Sequence, residues 1–239
     1  MLEINKIYNI DCLEGIKQID LTSNKFIIIT DPPFNVGYHY NEYSDKKEEN
    51  EYFQWLSNII GDLPFVMIHY PESLYKVAKY TNKFPERVVS WVYNSNTKRQ
   101  HRDIAFFGIK PDFSKVKQPY KNLNDKRILE RIELGSEGTD LYDWWQVNQV
   151  KNVSDEKTEH PCQMPIEVME NIIKIIPDDY VIIEPFSGSG TTVEACIRNG
   201  RKYIAFEIDK YYYDLSLERV NGINRKGQTS IFTDFNRVI

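Results

Sequence analysis

Short apolar runs alternate along the chain with stretches whose apolar residues recur every three or four positions, and this alternation predicts an α/β sheet. Runs rich in β-branched and aromatic residues predict strands over Lys6–Ile10, Phe26–Thr30, Pro64–His69, Arg87–Tyr93, Ile104–Ile109, Tyr180–Glu184 and Lys202–Glu207. Helical spacing predicts helices over Cys12–Ile19, Glu48–Ile60, Ser73–Thr81, Ile166–Ile176, Thr191–Arg198 and Tyr211–Val220. Helices of this length suit crossovers between parallel strands, so the expected fold is a mostly parallel sheet with helices on both faces. From Pro111 to Lys157 the alternation breaks. That stretch is polar, carries Trp144 and Trp145, and shows one helical piece near Asn124–Leu134. An interruption of that length is either functional or a small module of its own. The expected organisation is a main domain over 1–110 and 158–239, with an insertion over 111–157.

Composition narrows the class. The 239 residues are 41% hydrophobic with a mean hydropathy of −0.53, enough for a core, and their apolar runs are too short for a membrane span. The opening Met1-Leu2-Glu3-Ile4-Asn5 lacks the blocks of a signal peptide. Three widely spaced cysteines (Cys12, Cys162, Cys196) give neither a disulfide framework nor paired metal-ligand spacing, so a reduced, cytoplasmic protein without a metal is expected. The formal charge of −5 argues at first against a nucleic-acid partner.

Chemistry enters at two loops. Tyr180–Glu184 runs directly into Pro185-Phe186-Ser187-Gly188-Ser189-Gly190, and Thr191-Thr192 then opens a helix. Glycines there let the backbone approach a ligand, and the free N–H groups of the helix start favour an anion. Glu207 ends the next strand nineteen residues after Gly188, where an acid accepts from ribose hydroxyls. A P-loop is excluded, because no Gly-Lys-Ser/Thr follows. A dinucleotide fits poorly, because Val193 takes the place of the third small residue. S-adenosylmethionine, with a ribose and a carboxylate but no pyrophosphate, fits better.

The second loop is Asp31-Pro32-Pro33-Phe34, at the C-terminal end of a buried-strand pattern. Ligands of open α/β sheets bind at that edge. Two prolines stiffen the loop and present a carboxylate, the Pro32 carbonyl and an aromatic ring together. Methylating an exocyclic amine needs those parts: two acceptors grip the N–H bonds and localise the lone pair, while the ring stacks on a base that has left the helix. Negative charge also suits a sulfonium and the cationic amine that forms. As a bare Asp-Pro turn the tetrapeptide would simply end a strand; beside the glycine loop it points to catalysis.

With these motifs the sequence resembles the amino-directed DNA methyltransferases of the permuted class beta, N6-adenine type, over nearly the whole chain. Members carry the Asp-Pro-Pro-Tyr/Phe motif before the target-recognition region and the Phe-x-Gly-x-Gly cofactor motif after it. The resemblance implies a Rossmann-like methyltransferase fold with residues 111–157 as the target-recognition insertion. It implies catalysis by Asp31, Pro32, Pro33 and Phe34. It implies cofactor contacts from Asp11, Cys12, Asp31, His160, Pro161, Glu184, Pro185, Phe186, Ser187, Gly188, Ser189, Gly190, Thr191, Thr192, Glu207 and Ile208. Lys6–Ile16 looks like the family's first strand and acidic turn, which would set Asp11 and Cys12 near the cofactor adenine. His160–Pro165 looks like the family's His-Pro-Thr-Gln-Lys-Pro segment, near the methionine part of the cofactor. Met164 replaces the usual lysine there and Cys162 the usual threonine. Pro161-Cys162 superficially suggests the nucleophile of cytosine-carbon methyltransferases, but the partner acid motif is absent and Cys162 is expected to be small and buried. Asp-Pro-Pro rather than Ser-Pro-Pro favours adenine over the cytosine amine. A catalytically silent DNA-binding subunit of a restriction-modification system is the reading from another class, and two intact motifs count against it. RNA or protein-glutamine methylation is a minor option, because the cofactor motif normally comes first there.

The charge then reads differently. Between Asn94 and Arg131 ten Lys/Arg residues face four acids, a local balance of +6. Tyr38, Asn94, Asn96, Lys98, Arg99, His101 and Arg102 are the expected contacts to double-stranded DNA. Tyr38, Tyr40 and Tyr43 mark a loop that could close over the base; His39 and His69 are expected to be structural or solvated. The short insertion predicts a short recognition sequence and a homodimer that extends the surface; the resemblance adds a cognate restriction endonuclease as a further expected partner. Steep salt dependence of DNA binding is expected.

Overall fold

The computed structural model describes residues 1–38, 43–151 and 154–222; His39 and Tyr40 lie outside them. The chain order is β1 (Lys6–Tyr8), α1 (Cys12–Ile16), β2 (Lys25–Thr30), α2 (Glu49–Ile60), β3 (Phe65–His69), α3 (Pro71–Thr81), β4 (Pro85–Val92), β5 (His101–Phe107), β6 (Lys117–Gln118), α4 (Lys126–Glu133), β7 (Thr139–Asp140), β8 (Trp144–Gln146), α5 (Ile166–Ile175), β9 (Tyr180–Glu184), α6 (Thr191–Arg198), β10 (Tyr203–Phe206) and α7 (Lys210–Val220). Every strand and helix expected from the pattern is present, with shifts at the ends. α3 starts at Pro71 rather than Ser73, because a proline needs no N–H partner in the first turn. α1 begins where Asp11 Oδ1 accepts the Leu13 and Glu14 N–H groups.

Eight strands form one sheet in the order β1-β10-β9-β2-β3-β5-β4-β8. The run from β1 to β3 is parallel, β5 is antiparallel to both β3 and β4, and β8 is parallel to β4. β2 is buried from Phe26 to Thr30 because both its faces are covered. Ile27 and Ile29 pack with α5 and α6 residues such as Ile172, Ile173 and Val193 on one face. Phe26 and Ile28 pack with α2 and α3 residues such as Phe53, Leu56 and Val77 on the other. Alternation along one strand thus builds two cores. Among the described residues no helix is long and apolar enough to cross a membrane.

Residues 111–157 hold β6, β7, α4 and β8. Part of this stretch is built into the main sheet: β8 extends it, and Trp145, 3% exposed, joins the core. Trp144 stays at the surface with Lys121 Nζ 3.7 Å over its ring. α4 buries none of its residues. The two tryptophans therefore separate, as neighbours on a strand must.

Candidate active site

Sheet order sets the site. The chain leaves β9 toward β10 on one side and β2 toward β3 on the other, and ligands of open α/β sheets sit where the order reverses. β2 and β9 run in parallel with Ile28 opposite Ile183, so Asp31 and Glu184 end neighbouring strands although they lie 153 positions apart in the chain. Glu207 follows β10, the next strand over. The three carboxyls open into one cleft of about 410 Å³, walled also by Phe34, Trp55, Tyr70, Phe186 and Tyr212.

Burial dominates their electrostatics. Desolvation pushes Asp31 up to about 6 against the pull of the Arg102 guanidinium, and Asp31 Oδ1 is buried without a hydrogen-bond partner among the described residues. Glu184 is pushed up to about 8, by burial and by repulsion from Asp31 and Glu207; Phe186 N–H and the Thr192 hydroxyl donate to it at 3.0 and 2.6 Å. Burial also raises Glu207, which accepts from Gly188 N–H at 2.7 Å and Asp209 N–H at 2.9 Å. Three crowded carboxyls make a place that gains from a cation and from N–H or O–H donors. Among the described residues no His, Cys, Asp and Glu cluster is arranged to hold a metal ion.

The Asp31–Phe34 loop is packed from both sides. The His69 imidazole stacks on Phe34 with centroids 4.2 Å apart and planes 15° apart. His69 is fully buried and does not line the cleft, whereas Arg102 does line it and sits 4.7 Å from the ring centroid. Two groups this close cannot share a face, so Arg102 covers the ring's cleft side. Arg102 Nη1 also lies 3.8 Å from Asp31 Oδ2.

The glycine loop is fixed by conformation and by a buried ion pair. Gly188 (φ +50) and Gly190 (φ +78) occupy left-handed backbone. A Cβ on Gly188 would meet the His160 ring at 3.0 Å, and one on Gly190 would meet Ser216 at the same distance. Arg219 of α7 pairs with Glu194 of α6 and donates to the Thr191 hydroxyl at 2.9 Å, so α7 holds the loop in place. His160, depressed to about 4 by burial, packs edge-on against Tyr212.

Of the cofactor residues expected from the sequence, Asp11, Cys12, Asp31, His160, Glu184, Pro185, Phe186, Ser187, Gly188, Ser189, Thr191, Thr192, Glu207 and Ile208 line the cleft. Gly190 shapes the turn behind it, and Pro161 is exposed away from it. Tyr38, Tyr43 and Arg102 also line the cleft. Asn94, Asn96, Lys98, Arg99 and His101 are exposed outside it. Cys162 is exposed rather than buried, a correction with a clear cause. At this turn Gln163 goes inward instead, accepting from Thr158 N–H and Oγ1 at 2.7 and 2.8 Å and donating to the Glu156 carbonyl at 2.6 Å. Met164, in the lysine position, is buried with Sδ 3.9 Å from Arg102.

The +6 stretch is less cationic in space than along the chain. Arg99, Arg102, Lys115 and Lys117 pair with Glu72, Asp31, Asp178 and Asp140, all outside the stretch. Sequence reasoning also passed over Tyr52, Asp45 and Trp55. Asp45, 2% exposed, gathers the Asn35, Val36 and Tyr38 N–H groups and so folds the segment after Phe34. Trp55 packs on Phe186, joining α2 to the glycine loop. Only the closed fold reveals such partners; the sequence offers no spacing for them.

The chain is similar to known proteins over most of its length. A family model described as DNA methylase matches residues 65–218. The chain is 25% identical over 256 residues to the type II methyltransferase M.BglII of Bacillus subtilis, covering 92% of this chain and 69% of the relative. It is 26% identical over 253 residues to the DNA adenine methyltransferase YhdJ of Escherichia coli K12, covering 92% and 83%. The crystal structure of the M1.HpyAVI–SAM complex aligns with a TM-score of 0.60 at 23% identity, over 90% of this chain and 98% of that one.

Proposed function

The chain belongs to a family of DNA methylases, and from that premise we propose that it transfers a methyl group from S-adenosylmethionine to the N6 amine of an adenine turned out of double-stranded DNA. The observation that carries this reading is the pairing of β2 with β9, which sets Asp31 and the glycine loop on one cleft. Transfer loop before glycine loop is the order of the permuted class beta. The residues fit the cofactor: Gly188 brings bare backbone to the cleft, Glu207 keeps acceptor capacity for ribose hydroxyls, and the carboxyl cluster suits a cation. S-adenosylmethionine, when bound, supplies a methyl group on a sulfonium.

In this reading the chain's own groups do the rest. Asp31 and the Pro32 carbonyl take the two amine N–H bonds and turn the lone pair out of conjugation with the base. Phe34 stacks on the base, which must first displace the Arg102 guanidinium from the ring. Because β3 pairs antiparallel with β5 at His69–Asp103, and β4 with β5 at Val92–His101, the 93–100 hairpin loop projects from the sheet edge that carries Asp31. Asn94, Asn96, Lys98, Arg99 and His101 are there to meet DNA. Residues 111–157 serve target recognition, and a homodimer and a cognate endonuclease are the proposed partners.

Asp31 favours adenine over the exocyclic amine of cytosine. Nucleoside mass spectrometry of DNA from a methylation-deficient host expressing the chain tests this. N6-methyladenine is expected; N4-methylcytosine alone would overturn the base assignment, and no modified base would overturn the activity.

The rate should also depend on pH with a known sign. Only the ionised Asp31 offers a charged acceptor to the amine as it becomes cationic, and its carboxyl is pushed up to about 6. The kcat/KM of the free enzyme should therefore fall about tenfold per pH unit below about 6. A rate unchanged down to pH 5 would remove Asp31 from the role of charged hydrogen-bond acceptor.

A further inference from the structure

We propose that Tyr52 and His69 are positioning residues that hold the Asp31–Phe34 loop in its reactive shape through a one-way chain of hydrogen bonds ending on the Pro33 carbonyl. The inference rests on reading that loop as the site of methyl transfer. Pro32 and Pro33 have no N–H, so this part of the loop can be tied down only through its carbonyls and its packing. The Tyr52 hydroxyl of α2 lies 2.7 Å from the Pro33 carbonyl and 2.9 Å from His69 Nε2.

Donor directions are fixed by the far end. Tyr70 N–H donates to His69 Nδ1 at 2.8 Å, so Nδ1 carries a lone pair and Nε2 the proton. Nε2–H then donates to the Tyr52 oxygen, and the Tyr52 hydroxyl donates to the Pro33 carbonyl. The chain thus runs one way, from the Tyr70 N–H through His69 and Tyr52 to the Pro33 carbonyl. Burial pushes His69 down to about 3, so it stays neutral throughout the working range and the chain keeps its direction.

The same imidazole carries out a second task, since its face is the platform under Phe34. Tyr52 and His69 are 1% and 0% exposed, and neither lines the cleft. They touch no substrate; they act through Pro33 and Phe34. With the Pro33 carbonyl anchored from below, the Pro32 carbonyl is left to the incoming amine. A displacement of an ångström at a transfer site costs orders of magnitude in rate, which is why such a tie matters more to turnover than to binding.

The test compares Tyr52→Phe, His69→Gln and His69→Leu with wild type and with Asp31→Asn, using single-turnover transfer rates, cofactor affinity by calorimetry, and Tm. Tyr52→Phe keeps the ring and loses the link. Its transfer rate should fall 10- to 100-fold, with the dissociation constant for S-adenosylmethionine within threefold of wild type. His69→Gln, whose amide nitrogen can donate toward Tyr52, should retain at least tenfold more activity than His69→Leu at similar Tm. Wild-type rates in Tyr52→Phe, or equal rates in the two His69 variants, would overturn the proposal. If Asp31→Asn keeps full activity, it is the reading of the loop itself that fails.

Discussion

Asp31→Asn should slow methyl transfer by about two to three orders of magnitude, leave cofactor binding largely intact and make the protein more stable at neutral pH. The amide keeps one oxygen to accept the amine N–H, but that oxygen is neutral and the amide brings two N–H bonds of its own, so the grip on the amine weakens. Loss of the charge also removes stabilisation of the cationic amine in a site partly closed to water. A fall in kcat of about 10²- to 10³-fold is expected, the size found when a charge-stabilising group is removed from a reacting centre. The stability change has the opposite sign. Asp31 holds its proton to about 6 in the folded chain, against an ordinary value of 3.8. Folding therefore takes up a proton between about pH 4 and pH 6, and the carboxylate costs up to about 3 kcal/mol above that window. Asp31→Asn should melt higher than wild type at pH 7.5, and the gap should close as pH falls toward 4. Equal or lower Tm at pH 7.5 would show that the carboxylate is better solvated than its surroundings imply, and retained turnover would end its catalytic assignment.

Glu194→Ala should cause the largest loss of stability among single changes near the site. Glu194 and Arg219 are paired with side chains only 5% and 7% exposed, and Arg198 holds the other Glu194 oxygen at 2.6 Å. Removing the carboxylate strands a buried guanidinium, for which about 3–5 kcal/mol is the usual penalty. For a chain of this size that is a Tm lower by roughly 6–20 °C. Cofactor affinity should fall with it, because Arg219 also donates to Thr191 and Ser189 in the glycine loop. Replacing both partners, as Glu194→Leu with Arg219→Leu, should recover much of the stability, since no charge is then left unpaired. A single variant as stable as wild type would mean that water or a shifted Arg219 compensates. Calorimetry of the three proteins decides between these outcomes.

The two loops of the candidate site were legible because their residues are chosen by local backbone needs. Gly188 and Gly190 stand where φ is positive, and Asp31-Pro32-Pro33 stiffens a strand end whatever lies beside it. The alternation of strands and helices was legible for a similar reason, as period is a property of neighbouring positions. Charge was less so. The surplus between Asn94 and Arg131 is real along the chain, but Glu72, Asp31, Asp140 and Asp178 reach it from elsewhere. Cys162 was misplaced because one residue of turn phase decided whether it or Gln163 faced inward.

By itself, then, the sequence determined the element types, the glycine cradle, the Asp-Pro-Pro-Phe loop and the acid that follows the cradle. The tertiary structure decided which of these meet and with what strength. Asp31 and Glu184 are neighbours only because β2 pairs with β9, and their proton affinities rise only because non-local residues keep water from them. Tyr52 and His69 looked like ordinary helix and strand residues until closure set them beneath Pro33 and Phe34. The physical reason is common to all of them. Conformational preference acts over a few bonds and is written in local sequence, whereas desolvation, stacking and long-range hydrogen bonds depend on distances that only the folded chain defines.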